Sequence, residues 1–180
     1  CIRDSPISLG STWNKELINK IGIALGQEAL DKDVDVLLGP TINLHRHPLG
    51  GRHFENFSED PVLTGEIAVA YVKGVQSKKV SACLKHFVAN DTEFERHTVS
   101  SNLDERTLRE IYLLPFEMGI KKAKAKSVMS AYNKLNNIYC SSNKDLLIDI
   151  LKKEWGFDGY VVSDWGAALE TVDNATGGLD

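Results

Sequence analysis

Cysteine is scarce in this chain. Cys1, Cys83 and Cys140 make an odd set with no CxxC spacing, which excludes a disulfide-stapled scaffold and a thiolate metal site. Cys83 falls inside an apolar run, where a lone thiol serves as a small buried hydrophobe; this favours a reducing, cytoplasmic compartment. Positive charge is not in excess. The net charge is −4, so nucleic acid and anionic membrane surfaces have no electrostatic case as partners. No apolar run approaches the ~20 residues of a membrane span. Neither GxGxxG nor GxxxxGK[ST] occurs, leaving nucleotide phosphate binding without motif support. Internal repeats and low-complexity linkers are also lacking. There is no initiating Met before Cys1 and no polar tail after Thr176. Both ends therefore read as cut from a longer protein, and a missing leader peptide is uninformative.

What is present is a chain of 180 residues, 42% hydrophobic and 26% charged, enough for one domain with a core. Leu17, Ile18, Ile21, Ala24, Leu25 and Leu30 recur at helical spacing between Lys15 and Asp31, with Asn14 or Thr12 as cap. Val34 to Leu38 reads as a strand stopped by Gly39-Pro40. A long polar segment, 41–60, follows; loops of that length in compact domains are usually functional or disordered. Asp60-Pro61 opens a helix whose expected core face is Val62, Ile67, Ala70, Tyr71 and Val75. Val80 to Phe87 is a second strand, followed by another charged loop. A helix from Asp104 to about Ala125 should be kinked or split by Pro115. Ser127 to Tyr132 is a third strand, and Asn143 to Trp155 a helix that Gly156 stops. Tyr160 to Ser163 is a fourth strand, with a last helix expected over Ala167 to Ala175.

Strands alternating with helices predict a parallel sheet with right-handed crossovers. The expected class is α/β: a partial (β/α) TIM-type barrel with about four parallel strands alternating with helices. A closed eight-stranded barrel takes ~250 residues, so residues 1–180 make about half of one. The loops after the strands are long and rich in Arg, His, Asn, Asp and Glu, whereas the connections before them are short. In a barrel the former share one face. Arg52, His53, Glu55, Lys85, His86, Asn90, Asp91, Glu93, Arg96, His97, Tyr132, Asn133 and Asp164 are thus placed to converge.

Four stretches stand out. GYVVSDWG (Gly159–Gly166) is an apolar strand ending in Asp164, where α/β barrels place their chemistry; Trp165 offers a flat face for stacking. The plain structural alternative is that Asp164 caps a helix starting near Ala167. GGRHFENFSEDP (Gly50–Pro61) sets Arg52 beside glycines and carboxylates, suited to hydroxyls or to an Arg–Glu pair that pins the loop. Lys85 and His86 end an apolar strand, where two cations are costly without a ligand or carboxylate. They could donate to sugar hydroxyls, or Lys85 could form a Schiff base. Met129 is most simply core, while the Tyr132 hydroxyl could steady a cleft carboxylate. The pair His45 and His47 has metal-ligand spacing but no clustered third ligand, and Arg46 would repel a cation, so no metal is expected. A retaining glycosidase needs a carboxylate nucleophile and a second carboxyl about 5–5.5 Å away. Asp164 fits the first role, with Lys85 and Arg52 favouring its ionised form. Glu55, Glu93 and Glu95 are undistinguished candidates for the second.

In this order, GGRHFENFSEDP, KHFVAND, SVMSAYNKLN and GYVVSDWG resemble glycoside hydrolase family 3, the retaining β-glucosidase family, over about Ser11 to Asp180. The resemblance implies Asp164 as nucleophile and Trp165 as the aromatic clamp beside it. It places Lys85, His86 and Arg52 on sugar hydroxyls of the −1 subsite, lined by Met129 and Tyr132. It implies no metal and no organic cofactor, a β-glucoside or small oligosaccharide as substrate, and an acid/base Glu from a following α/β sandwich domain outside this chain. The family's Asp-Gly-Pro segment is not clearly present, and Asp4 does not inherit its role. KHFVAND, without the PGHG of the N-acetylhexosaminidase branch, points to the β-glucosidase or β-xylosidase branch. Two other classes remain: a lyase working through Lys85, and a non-catalytic fragment whose open strand edges invite aggregation.

Overall fold

The computed structural model describes residues 5–180; Cys1 and Asp4 lie outside them. Seven strands occur among these residues: β1 (Val36–Leu37), β2 (Ser81–Phe87), β3 (Ser100–Ser101), β4 (Ser127–Ser130), β5 (Lys134–Leu135), β6 (Ile138–Tyr139) and β7 (Tyr160–Ser163). Four of them form one sheet in the order β1-β2-β4-β7, and every pairing is parallel. Spatial order equals chain order, so each crossover steps the same way. That is the winding of a β/α barrel; a doubly wound sheet reverses at a switch point. The expected α/β class with four parallel strands is therefore present.

Helices cover the outer face of this sheet. In α1 (Pro6–Ser11) and α2 (Lys15–Leu30) the chain winds up to β1. The Asn14 side chain accepts from the Leu17 N–H at 3.0 Å, closing the start of α2 as a cap should. In α3 (Pro61–Gln76), Asp60 does the same for Leu63 at 2.6 Å. The two helices cross closely through glycine. A Cβ on Gly74 would fall 2.4 Å from the Asn19 carbonyl oxygen, and one on Gly22 2.5 Å from that of Tyr71. Ile67, Ala70 and Val75 of α3 are buried, as expected for its core face, but Val62 is exposed. It sits in the first turn, beyond the reach of the sheet.

Pro115 acts as anticipated. The segment runs as α4 (Glu105–Thr107), a π-wound turn over Leu108–Tyr112, and α5 (Leu114–Ala123). At the junction the Leu113 N–H reaches back five residues to Leu108 O, at 2.8 Å. The helix expected before Gly156 is π-wound over Asp145–Glu154, and Gly156 ends it at φ +67°. Three details differ from expectation. β1 is two residues long, because Val34 and Leu38 are both substantially exposed. The loops after β2 and β4 contain a small second sheet, β3-β5-β6, that their polar composition conceals. Finally, the last helix is Thr171–Gly177, not Ala167–Ala175. Gly166 at φ +79° and a turn closed by the Ala167 N–H on Asp164 O come first. Asp164 therefore does not cap that helix.

Neighbouring residues of a strand point to opposite faces. Val128 and Val161 join the core under the helices. Met129 is 2% exposed and stands outside that core, on the inner face. Cys83 is likewise buried on the inner face, and burial raises its thiol to about 11; the Cys140 thiol is raised to about 12.

Candidate active site

The carboxyl ends of β2, β4 and β7 and the segment after β1 bring the charged loops together. Beyond Gly39-Pro40 the chain pairs again with β2: Ile42 N–H donates to Lys85 O at 2.7 Å, and Thr41 bridges Lys85 in parallel. In β2 the register with β4 shifts between Leu84 and Phe87, where the Lys85–His86 and Phe87–Val88 peptides are cis. Lys85 and His86 lie within β2 at this irregularity.

Asp164, at the end of β7, is 8% exposed. Its Oδ1 accepts from the Trp165 N–H at 2.8 Å. Oδ2 is buried and has no hydrogen bond among the described residues. Around Oδ2 stand His86 Nε2 at 3.2 Å and an Arg52 terminal nitrogen at 3.9 Å. Tyr132 adjoins Asp164; burial and the carboxylate's charge raise its phenol above the ordinary value. The Arg96 guanidinium lies over the Tyr132 ring, 4.3 Å from its centre, and His97 packs edge-on against it. Trp165 itself is 66% exposed, its indole free to meet a ligand.

Arg52 is the hub. Its Nε and a terminal nitrogen hold Glu55 at 2.8 and 3.1 Å, and its other terminal nitrogen lies 3.8 Å from Glu93 as well as near Asp164. Glu55 also takes the Thr41 hydroxyl at 3.1 Å and faces Lys85 Nζ at 3.9 Å. Burial works against ionisation of Glu55, but Arg52, Lys85 and Thr41 together hold its carboxyl below the ordinary range. A carboxylate so committed is poorly suited to proton donation. Glu93 is divided among Arg52, Arg96 at 2.6 Å and Asn90 at 3.1 Å.

Of the residues singled out in the sequence, Arg52, Glu55, Lys85, His86, Glu93, Arg96, Tyr132 and Asp164 are brought together. Others serve the frame. Asn133 is fully buried and bonds Val88 O and Lys134 O. His53 bonds His47 O, His45 Nε2 contacts His53 O at 2.9 Å, and the Leu49 N–H reaches His47 Nδ1. Glu95 lies in an exposed turn at φ +48°. Two residues that matter were missed or under-read. The Asn43 side-chain amide bonds the His86 backbone twice, donating to its carbonyl and accepting from its N–H, yet nothing in TINLHRHP marks it. Asp91 accepts the Leu44 N–H at 3.0 Å and so ties the Arg52-bearing segment to the loop after β2.

Burial pushes the Asp91 carboxyl up to about 6, against an ordinary 3.8, in spite of the Leu44 N–H and Arg46. Between those values the folded chain holds a proton that the unfolded chain has lost. Stability from this group therefore falls as pH rises from 4 to 6, by on the order of 3 kcal/mol in all. Asp91→Asn keeps the acceptor and removes the charge. Its melting temperature should gain on the parent as pH rises from 4 to 7, and then hold steady. A difference that does not change with pH would contradict this account.

Comparison with known proteins agrees with the geometry. Residues 4–177 match the model of the glycosyl hydrolase family 3 N terminal domain. A β-glucosidase from Rhizobium radiobacter is 58% identical over 174 residues, covering 97% of this chain and 21% of its own length. Thermostable β-glucosidase B from Acetivibrio thermocellus is 53% identical over 176 residues, covering 98% and 23% respectively. Among solved structures, β-glucosidase 3B from Thermotoga neapolitana in complex with glucose superposes with a TM-score of 0.95 at 55% identity, over 97% of this chain and 24% of that one. The chain thus spans about a fifth of the length of the curated relatives it matches.

Proposed function

Because the chain belongs to glycosyl hydrolase family 3, through the N-terminal domain of that family, we propose that it carries the nucleophile half of a retaining β-glucosidase site. The observation that carries this reading is Asp164: a buried carboxylate at the mouth of a parallel sheet, with one oxygen fixed by a backbone N–H and the other unbonded between Arg52 and His86. In this reading Oδ2 attacks the anomeric carbon of a β-glucoside. The C1–O bond to the leaving group breaks, and a glycosyl ester forms on Asp164. An acid outside these 180 residues protonates the departing oxygen, then takes a proton from water, which attacks C1 and frees Asp164. Glu55 and Glu93 are held by arginines and are not assigned that role. Lys85, His86 and Arg52 receive the sugar hydroxyls, Met129 and Tyr132 line the subsite, and the exposed Trp165 stacks on the ring or the aglycone. Relatives named β-glucosidases and a neighbour solved with glucose support glucose as the sugar.

Active-site labelling tests the reading. Incubation with 2,4-dinitrophenyl 2-deoxy-2-fluoro-β-glucoside should leave one fluoroglucosyl group, found on Asp164 by peptide mass spectrometry. That leaving group departs without protonation, so a distant acid is not needed. A label on another carboxylate, or none at all, would overturn the assignment.

A further inference from the structure

We propose that Asn43 is a positioning residue that holds His86 as its Nδ1–H tautomer, so that Nε2 meets a substrate hydroxyl as a hydrogen-bond acceptor. The tautomer follows from the protein alone; its use on a sugar rests on the function proposed above.

Asn43 is 3% exposed and His86 1%. The renewed pairing of the chain after Gly39-Pro40 with β2 sets them side by side, 43 residues apart in sequence. The Asn43 amide has one possible orientation. His86 O can only accept, so the group 2.9 Å from it is the Asn43 NH₂. The His86 backbone N–H can only donate, so the atom 2.9 Å from it is Asn43 Oδ1. Two backbone groups of one residue thereby settle which end of the amide is which. The same Oδ1 lies 3.2 Å from His86 Nδ1. An amide oxygen cannot donate, so Nδ1 must bring the hydrogen.

The second ring nitrogen then has none. Burial, with Arg52, Lys85 and Arg96 nearby, drives the imidazole pKa down to about 2, so the ring is neutral and carries one proton. Nε2 is a bare lone pair facing Asp164 Oδ2 at 3.2 Å. Neither atom has a hydrogen bond among the described residues in spite of that distance. With Nε2 unprotonated, neither atom has a hydrogen to offer the other. Two buried acceptors left side by side are costly until a donor arrives. A sugar hydroxyl is such a donor, giving its hydrogen to Nε2 while Lys85 or Arg52 donates to its oxygen. The arrangement also leaves Oδ2 uncommitted, as an attacking atom must be. In this inference His86 accepts from a sugar hydroxyl, where the sequence reading has it donate to one.

The test is a long-range ¹H–¹⁵N correlation spectrum of the protein labelled at histidine, with the His86 signals identified by their loss in His86→Gln. The expected pattern is a protonated Nδ1 and an unprotonated Nε2, unchanged from pH 8 to pH 5. In Asn43→Ala the pattern should become mixed or reversed while the other histidines keep their shifts. A protonated Nε2 in the parent, or an unaltered tautomer in Asn43→Ala, would overturn the inference; should Asn43→Ala fail to fold, the parent spectrum decides alone. Labelling by the fluoroglucoside should slow about tenfold in Asn43→Ala, the loss of roughly one hydrogen bond. If the parent takes no label but shows the Nδ1–H form, the glucosidase reading fails while the tautomer stands.

Discussion

Asp164→Ala is expected to lower hydrolysis of an aryl β-glucoside by at least about 10⁴-fold, with little loss of stability. The rate falls because the variant has no atom to form the glycosyl ester, and water cannot occupy the sheltered side of the sugar as well as Oδ2 does. Little stability is lost because the carboxylate gives up the Oδ1 bond to the Trp165 N–H together with its contacts to Arg52, His86 and Tyr132, none of which anchors the backbone. Removing the carboxylate also leaves Arg52 with two acidic partners, Glu55 and Glu93. A diagnostic follows. Azide is small and nucleophilic enough to enter the emptied space and attack the anomeric carbon from the same side. It should restore turnover in Asp164→Ala and release an α-glucosyl azide, inverted relative to the substrate. A variant that retains more than a tenth of the parent rate, or azide rescue that gives the β-azide, would remove Asp164 from the nucleophile's role.

Arg52→Ala should produce the second-largest effect, and on two quantities at once. One guanidinium serves Glu55 through two bonds and stands within 4 Å of Glu93 and Asp164. Its removal leaves three neighbouring carboxylates with Lys85 and Arg96 as the remaining cations. Breaking a fully buried pair costs 3–5 kcal/mol; because the Arg52 side chain keeps 24% of its exposure, a loss of about 2–3 kcal/mol is expected. The rate constant kcat/KM should fall roughly 10²–10³-fold, as when one charged donor to the reacting region is lost. Arg52→Lys separates the two effects. Lysine restores the charge but not the planar fork that grips Glu55, so it should recover much of the stability and little of the rate. Urea melts and steady-state kinetics on the three proteins would show this. Equal recovery of both quantities by Lys would mean that Arg52 acts through charge alone, without orienting anything.

The helix starts were plain in the sequence. Asn14, Asp60 and Asp104 each bond an N–H three residues ahead, a local event within one turn. The split before Pro115 and the stop at Gly156 are equally local, arising from a missing N–H and a positive φ. The last helix starts four residues later than the sequence pattern predicts, because Gly166 and the turn on Asp164 O intervene. The hairpin after β4 is concealed by the polar look of Lys134 to Tyr139; the two-residue turn Asn136-Asn137, at φ +48° and +72°, sets its register, while Ser100–Ser101, more than thirty residues upstream, adds a parallel strand along β5.

By itself the sequence determined the α/β order, the four parallel strands and the stretches ending in Arg52, His86, Tyr132 and Asp164. These depend on apolar runs, caps and breakers, all written within a few neighbouring residues. Only the tertiary structure decided which charges share a partner. Arg52 and Asp164 are 112 positions apart, and they meet because parallel strands deliver successive loops to one end of the sheet. It alone decided that Glu55 is committed to Arg52, that Oδ2 of Asp164 is unbonded, and that Asn43 lies against His86. Hydrogen bonding and charge depend on distance in space, and a pairing between remote strands leaves no trace in the residues on either side of it.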